Sequence, residues 1–201
     1  MEMEGIVQKN RDFFNKIAKV YEISLFKNIN AKMQKKVVQL TNIEYNSKIL
    51  DAGCGTGILL EILYAEEKNL NLYGIDISEK MLKIAKKKLG NNANISLQSA
   101  EELNFGDKSF DYVFVIDAFH HYADQKTAIN NFHRILKREG KLIIVDFSFG
   151  KLGNWLFHNI EPGNSGMHTV SELMNLFKNY KFKKIKQRKI GIFSTLTRGI
   201  K

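Results

Sequence analysis

From Asp12 to about Leu40 the apolar residues Phe13, Ile17, Val20, Tyr21, Leu25, Ile29, Met33, Val37 and Leu40 recur every three or four positions. That spacing predicts one or two amphipathic helices, each laying one apolar stripe on a core. The period then changes. Residues 48–52 form a short apolar run ending in glycines, and 58–66 return to helical spacing, which predicts strand, glycine turn and helix. A second strand is expected over 70–77. Ser78 and Glu79 open a lysine-rich helix through Leu89, closed by Gly90-Asn91. Short strands follow at 95–97 and 110–116, then a helix over 127–136 ending at Gly140, and a fifth strand at 141–147. A last helix is expected over 170–179, and the alternating stretches 182–190 and 192–200 predict a terminal hairpin around Gly191.

Strands alternating with helices, several of them continuous apolar runs, imply an α/β fold with a mostly parallel sheet covered on both faces. In such sheets ligands bind beyond the carboxyl ends of the strands. The only proline, Pro162, lies in Glu161-Pro162-Gly163-Asn164-Ser165-Gly166, the clearest loop signal, and no repeat or low-complexity tract interrupts the pattern. One domain accounts for 201 residues.

Composition narrows the class. A hydrophobic share of 44% supports a core and excludes a disordered tail, while no window reaches the run of about 18 apolar residues that a membrane span needs. Acids at Glu2 and Glu4 stand where a signal peptide would be basic, so the expected location is the cytoplasm. The single cysteine, Cys54, supplies neither a disulfide nor a thiolate cluster, and no metal is expected. The net charge of +10 suggests an acidic partner, but 26 lysines against five arginines read as a compositional bias over exposed faces. Arginine is the residue that reads bases and phosphates bidentately, and its scarcity argues against nucleic acid.

The strongest chemical signal is Asp51-Ala52-Gly53-Cys54-Gly55-Thr56-Gly57, directly after the first strand. Glycines at alternate positions let the backbone turn sharply, approach a ligand and pack the next helix on the sheet. A dinucleotide fingerprint would put glycine at 58, where Ile58 stands, and the Gly-Lys-Ser/Thr ending of a phosphate loop is absent. Asp76 closes the second strand beside this turn. A carboxylate accepts two hydrogen bonds from a vicinal diol, and a ligand without phosphate leaves it unrepelled. The pattern therefore points to a ribose lacking phosphates, with Asp51 able to accept from a cationic amino group. Each glycine alone is also an ordinary turn residue and each aspartate an ordinary helix cap; their joint spacing favours the ligand.

On these residues the sequence resembles the class I S-adenosylmethionine-dependent methyltransferases, from about Phe14 to the C-terminus. Asp51 to Gly57, with Gly53, Cys54 and Gly55 at its centre, matches the family's first motif, around the methionine moiety of the cofactor. Asp76 matches the acid on the ribose, and Ile77 flanks adenine. Phe110-Asp111-Tyr112-Val113 followed by Phe119-His120-His121, and the segment Phe14 to Glu22, look like the ubiquinone/menaquinone-biosynthesis subgroup, in which such an N-terminal segment caps the pocket. Where relatives carry Gly-Asp-Ala-Glu, with the aspartate on the adenine amino group, this chain has Gln98-Ser99-Ala100-Glu101. Ser99 can accept that bond more weakly, and Glu101 only if the loop shifts. The resemblance implies a three-layer Rossmann-like sandwich with a seven-stranded sheet, an antiparallel C-terminal hairpin and an N-terminal helical cap. It divides one domain into a cap (1–46), a cofactor-binding core (47–148) and a lid, last helix and hairpin (149–201). It also implies S-adenosylmethionine as cofactor, S-adenosylhomocysteine as product and a monomer or homodimer.

Methyl transfer from a sulfonium is an in-line displacement, so alignment and exclusion of water supply much of the rate. Phenols, hydroxyls and activated carbons also gain from a positioned base. Asp117, at the carboxyl end of the fourth strand, has the best location and can touch cofactor or acceptor. His120, His121 and Tyr21 are further candidates. The histidine pair equally suits a helix start, Tyr21 a core position, and His168 a structural place before a helix capped by Thr169 or Ser171. Cys54 is expected to be a small buried turn residue. Phe149, Trp155 and Phe157 suit an acceptor wall or equally a cover for the sheet edge; their clustering in a glycine-flanked loop favours a lid, with Gly150, Gly153, Gly163 and Gly166 as hinges. The leading reading is transfer of a methyl group to a small molecule. Alternatives are an RNA or protein methyltransferase, motivated by the charge and the lysine clusters, and a non-catalytic cofactor-binding protein, motivated by Ser99. The Asn-Pro-Pro-Tyr-like signature of base amino methylation is missing, since Ile116-Asp117-Ala118-Phe119 follows the fourth strand.

Overall fold

A computed structural model describes residues 2–150, 153 and 166–201. The cap consists of α1 (Glu2–Tyr21) and α2 (Ser24–Thr41). The first half of the core follows as β1 (Lys48–Ala52), α3 (Ile58–Tyr64), β2 (Asn71–Asp76), α4 (Glu79–Leu89) and β3 (Asn94–Leu97). The second half carries β4 (Phe110–Ile116), α5 (Gln125–Ile135), β5 (Leu136–Phe147), α6 (Val170–Asn179), β6 (Lys183–Lys189) and β7 (Ser194–Ile200).

The seven strands form one sheet in the order β3-β2-β1-β4-β5-β7-β6. It is parallel from β3 to β5, and β7 runs antiparallel to both neighbours. The chain winds outward from β1 to β3 and then crosses to β4, so the order reverses between β1 and β4. A crevice opens above that switch point because the connections leave in opposite directions. Alternation within strands explains why both faces are apolar. Leu50, Val113, Val115, Leu142 and Ile144 meet Ile129, Phe132, Leu173 and Phe177 on one face. Ile49, Phe114, Ile143 and Val145 meet Val37, Leu59, Leu63 and Leu82 on the other. Each such side chain, fully buried, contributes roughly 1.5–3 kcal/mol.

Helix starts follow side-chain chemistry. Ser78 accepts from the Met81 amide at the head of α4, and Asp124 accepts from the amides of Lys126 and Thr127 at the head of α5. Thr169 and Glu172 form a reciprocal capping box on α6. Lys86, Lys87 and Lys88 occupy the last turn of α4, where they complement its dipole.

Several boundaries differ from expectation. α1 starts ten residues before Asp12, and the cap breaks into two helices because Ile23 is extended (φ −66°, ψ 131°). α5 stops at Ile135, and Leu136, its C-cap, keeps its amide on the Phe132 oxygen but turns extended and fully buried, pairing with Phe110 before residues 137–140 bulge out of the register. The interior position of this leucine outweighs its helical spacing. Phe149 stacks on Phe147 with centroids 6.0 Å apart and lies 4.9 Å from the Phe193 ring. Trp155, Phe157 and Gly163 of the expected lid lie outside the described residues. Among the described residues no helix is long and apolar enough to cross a membrane.

Gly74 lies in β2, under the turn that follows β1. A Cβ there would stand 2.7 Å from Leu60 Cδ1 and 2.9 Å from Cys54 Sγ. Gly74→Ala should therefore destabilise the protein by about 1–3 kcal/mol through overpacking, read as a lower urea midpoint at unchanged m-value.

Candidate functional site

The turn between β1 and α3 is held against the end of β2 by three of its amides. Gly53 and Cys54 donate to the Ile75 oxygen at 2.8 and 2.9 Å, and Gly55 donates to Asp76 Oδ2 at 2.9 Å. Gly53 has φ +81°, and a Cβ on it would stand 2.6 Å from Ala118 Cβ, so only glycine lets the turn reach the loop after β4. Gly57 serves packing instead. Its Cβ would press on Leu89 and Ala85 of α4, so its absence brings α3 and α4 together.

A cavity of about 110 Å³ opens above this turn. Its floor is Gly53, Cys54, Gly55 and Thr56, and its walls come from the ends of β2 and β4. α1 crosses the top, presenting Val7, Asn10, Phe14 and Tyr21 from one helical stripe. Arg11 Nε donates to the Ile77 oxygen at 3.2 Å, and Asn15 accepts from Ser78 Oγ at 2.8 Å. Asn10 Nδ2 donates to the His121 oxygen at 2.7 Å. α1 thus straddles the crevice, tied to the loops after β2 and β4.

The cavity is acidic. Asp76, Glu101 and Asp117 line it, and none of the described lining residues is a lysine or arginine. Asp76 accepts from Gly55 through Oδ2 and from Ser78 through Oδ1 at 2.8 Å, and its two oxygens together keep acceptor capacity for a ligand. Burial raises its pKa, and those amide bonds oppose the rise. Asp51 is 3% exposed, and burial together with the Asp76 charge pushes its pKa to about 8.

The chain resembles known proteins in the same way. The methyltransferase-domain family matches residues 50–144. The chain is 35% identical over 137 residues to the demethylmenaquinone methyltransferase of Thermotoga maritima, covering 66% of this chain and 59% of that one. It is 28% identical over 193 residues to a ubiquinone/menaquinone biosynthesis C-methyltransferase of Geotalea uraniireducens, covering 90% and 77%. The chain belongs to the class I S-adenosylmethionine-dependent methyltransferases. A solved S-adenosylmethionine-dependent methyltransferase of Aquifex aeolicus shares the fold, with a TM-score of 0.70 over 83% of this chain and 88% of that one at 17% identity. The chain spans a little under three fifths of the Thermotoga relative's length.

S-adenosylmethionine is the cofactor of this family, and the cavity has the chemistry for it. Three carboxylates without a cation suit a ligand that carries a sulfonium and an ammonium but no phosphate, and Asp76 keeps acceptor capacity for a diol. Of the residues singled out in the sequence, Tyr21, Gly53, Cys54, Gly55, Asp76, Ile77, Ala100, Glu101, Asp117 and His121 line the cavity. Asp117 takes a left-handed conformation (φ +51°) with its amide on the Val145 oxygen at 2.9 Å. Such a conformation is uncommon for a residue with a side chain.

Four residues lie elsewhere. Gly57 packs on α4, and Asp51 is buried among the strand ends. Ser99 Oγ donates to Glu101 Oε2 and accepts from the Glu101 amide, so Glu101 is the member of that pair that reaches the cavity. His120 does not line it: its Nδ1 meets Asp146 Oδ1 at 2.5 Å, leaving His121, whose ring is 4.0 Å away, as the imidazole at the cavity. His168 bonds Gln125 Oε1 at 2.7 Å beside the α6 cap, and burial lowers its pKa. Burial and the two nearby aspartates keep the Cys54 thiol protonated. Sequence reasoning missed Asn10, Gln34, Met81 and Tyr122. Tyr122, adjacent to the histidine pair, was the most visible of these; its hydroxyl donates to the Ala52 oxygen at 2.9 Å.

Asp51 generates a pH prediction. An acid at about 8 in the fold and near 4 when unfolded contributes stability that is fully present below pH 4 and lost as pH rises through 8. Asp51→Asn should gain on the wild type between pH 5 and 8.5, seen as a melting-temperature difference that grows with pH. A difference flat across that range removes the assignment.

Proposed function

We propose that the protein transfers a methyl group from S-adenosylmethionine to a small-molecule acceptor. The observation that carries this reading is the acidic cavity, free of lysine and arginine among its described lining residues, in a chain of net charge +10. A polyanionic acceptor would meet three carboxylates there, which counts against RNA. The names of the relatives support a small acceptor of the aromatic, quinone-like kind. In the proposed arrangement the chain acts as one unit in the cytoplasm, as a monomer or homodimer, with 1–46 as cap, 47–148 as core and 149–201 completing the acceptor side.

Asp76 holds the ribose diol, with Gly53, Cys54, Gly55 and Gly57 shaping the turn beneath the cofactor. Ile77, Ala100 and Glu101 surround adenine, Glu101 serving where relatives use an aspartate and Ser99 bracing it. A cation bound near Asp51 opposes the rise that burial and the Asp76 charge impose on its carboxyl. When bound, S-adenosylmethionine supplies an electrophilic methyl group on a sulfonium. α1 shields that region from water through Phe14 and Tyr21. Asp117, at the end of β4, orients a donor group of the acceptor, and an imidazole nitrogen of His121 takes its proton. His120, bonded to Asp146, supports the His121 ring from behind.

Calorimetric titration with S-adenosylmethionine and S-adenosylhomocysteine tests the reading. Wild type should bind both, and Asp76→Ala should lose about 1.5–3 kcal/mol, the range for hydrogen bonds to a charged group. Release of S-adenosylhomocysteine with phenolic or quinol acceptors should follow. Absence of binding with either ligand would sink the proposal.

A further inference from the structure

The cap helices bring to the cavity two buried amide oxygens that no protein donor meets: Oδ1 of Asn10 on α1 and Oε1 of Gln34 on α2. Asn10 is 1% exposed. Its Nδ2 donates to the His121 oxygen, and a carbonyl can only accept, so the amide is fixed with its oxygen as the free end. A buried acceptor left without a donor costs stability, so each such group calls for a reason. A ligand at Asn10 that satisfies it brings a hydrogen-bond donor. Gln34 lies one helical turn from Asn30 and lines the cavity with it, on a helix packed against α3. Both amides therefore stand towards the glycine turn and the end of β4. The ribose and adenine positions proposed above lie at the ends of β2 and β3, on the other side in strand order.

We propose that Asn10 and Gln34 hold the α-amino-acid end of S-adenosylmethionine, with the Asn10 carbonyl accepting from its ammonium group. The inference rests on the cofactor reading above. An extended ligand whose ribose meets Asp76 and whose adenine meets Ile77 and Glu101 sends its amino-acid end towards these amides. An ammonium offers three N–H donors on a positive charge, and no described lysine or arginine in the cavity wall competes for the acceptor. Gln34 offers an acceptor and a donor on one amide, which suits an end bearing both ammonium and carboxylate. Neither residue belongs to the glycine motif or to the segment from Phe14 to Glu22.

Calorimetry with two ligands separates this role from a structural one. S-adenosylhomocysteine carries the amino-acid end; 5′-methylthioadenosine keeps the adenosine and sulfur and lacks it. Gln34→Leu, which preserves side-chain volume, and Asn10→Ala should each weaken S-adenosylhomocysteine about tenfold or more while changing methylthioadenosine by less than about twofold. Equal losses on both ligands would show that the amides only shape the cap, and unchanged S-adenosylhomocysteine binding would show that they touch nothing; either overturns the proposal. Wild type binding the two ligands equally also overturns it while leaving the cofactor reading in place. Wild type binding neither overturns both. Should Asn10→Ala lose its fold with the His121 bond, Gln34→Leu still decides.

Discussion

The Asp76 carboxylate, caught between the amides of Gly55 and Ser78, is the joint around which the cavity is arranged. One oxygen fixes the turn that launches α3, and the other fixes the residue that caps α4. Ser78 in turn donates to Asn15, so the same joint receives the cap helix. The two bonds on the Ile75 oxygen hold the turn at the same height. Three elements distant in sequence therefore meet at one acid, and the crevice between β1 and β4 takes its width from them.

This arrangement concentrates negative charge. Asp51 and Asp76 are buried close enough that the first stays protonated until about pH 8. Two carboxyls in one low-dielectric region cannot both ionise cheaply, and a bound cation relieves that strain. Lysines cluster instead on the last turn of α4 and on the edge strand β6, outside the cavity wall. At physiological salt their field decays over about 8 Å. The basic exterior and the acidic cavity are thus separate electrostatic environments, and the net charge of the chain describes only the first.

The histidine pair and the Ser99-Glu101 pair show how tertiary contacts divide labour between neighbours. His120 and His121 are adjacent, in a short turn after β4, yet their surroundings differ. One meets Asp146 at the end of β5, and the other packs on Phe14 of α1 with ring centroids 4.9 Å apart. Ser99 and Glu101 bond one another, and the longer side chain reaches the cavity. In both cases two residues of suitable chemistry compete for one place, and the choice depends on which faces a partner from another element.

What the sequence determined by itself is local: alternation within strands, three- and four-residue spacing within helices, the glycines at 53, 55 and 57, and the acid that ends β2. These are short-range properties, so the doubly wound fold and the position of the ligand crevice could be read from them. Only the tertiary structure decided that α5 hands over to a strand at Leu136, which pairs with Phe110, that β7 enters between β5 and β6, and that His121 rather than His120 faces the cavity. It also decided that Asn10 and Gln34, ordinary polar residues on their helices, end with buried unmatched oxygens. Each of these outcomes depends on contact with a segment far along the chain, and residue spacing carries no record of which distant segment arrives.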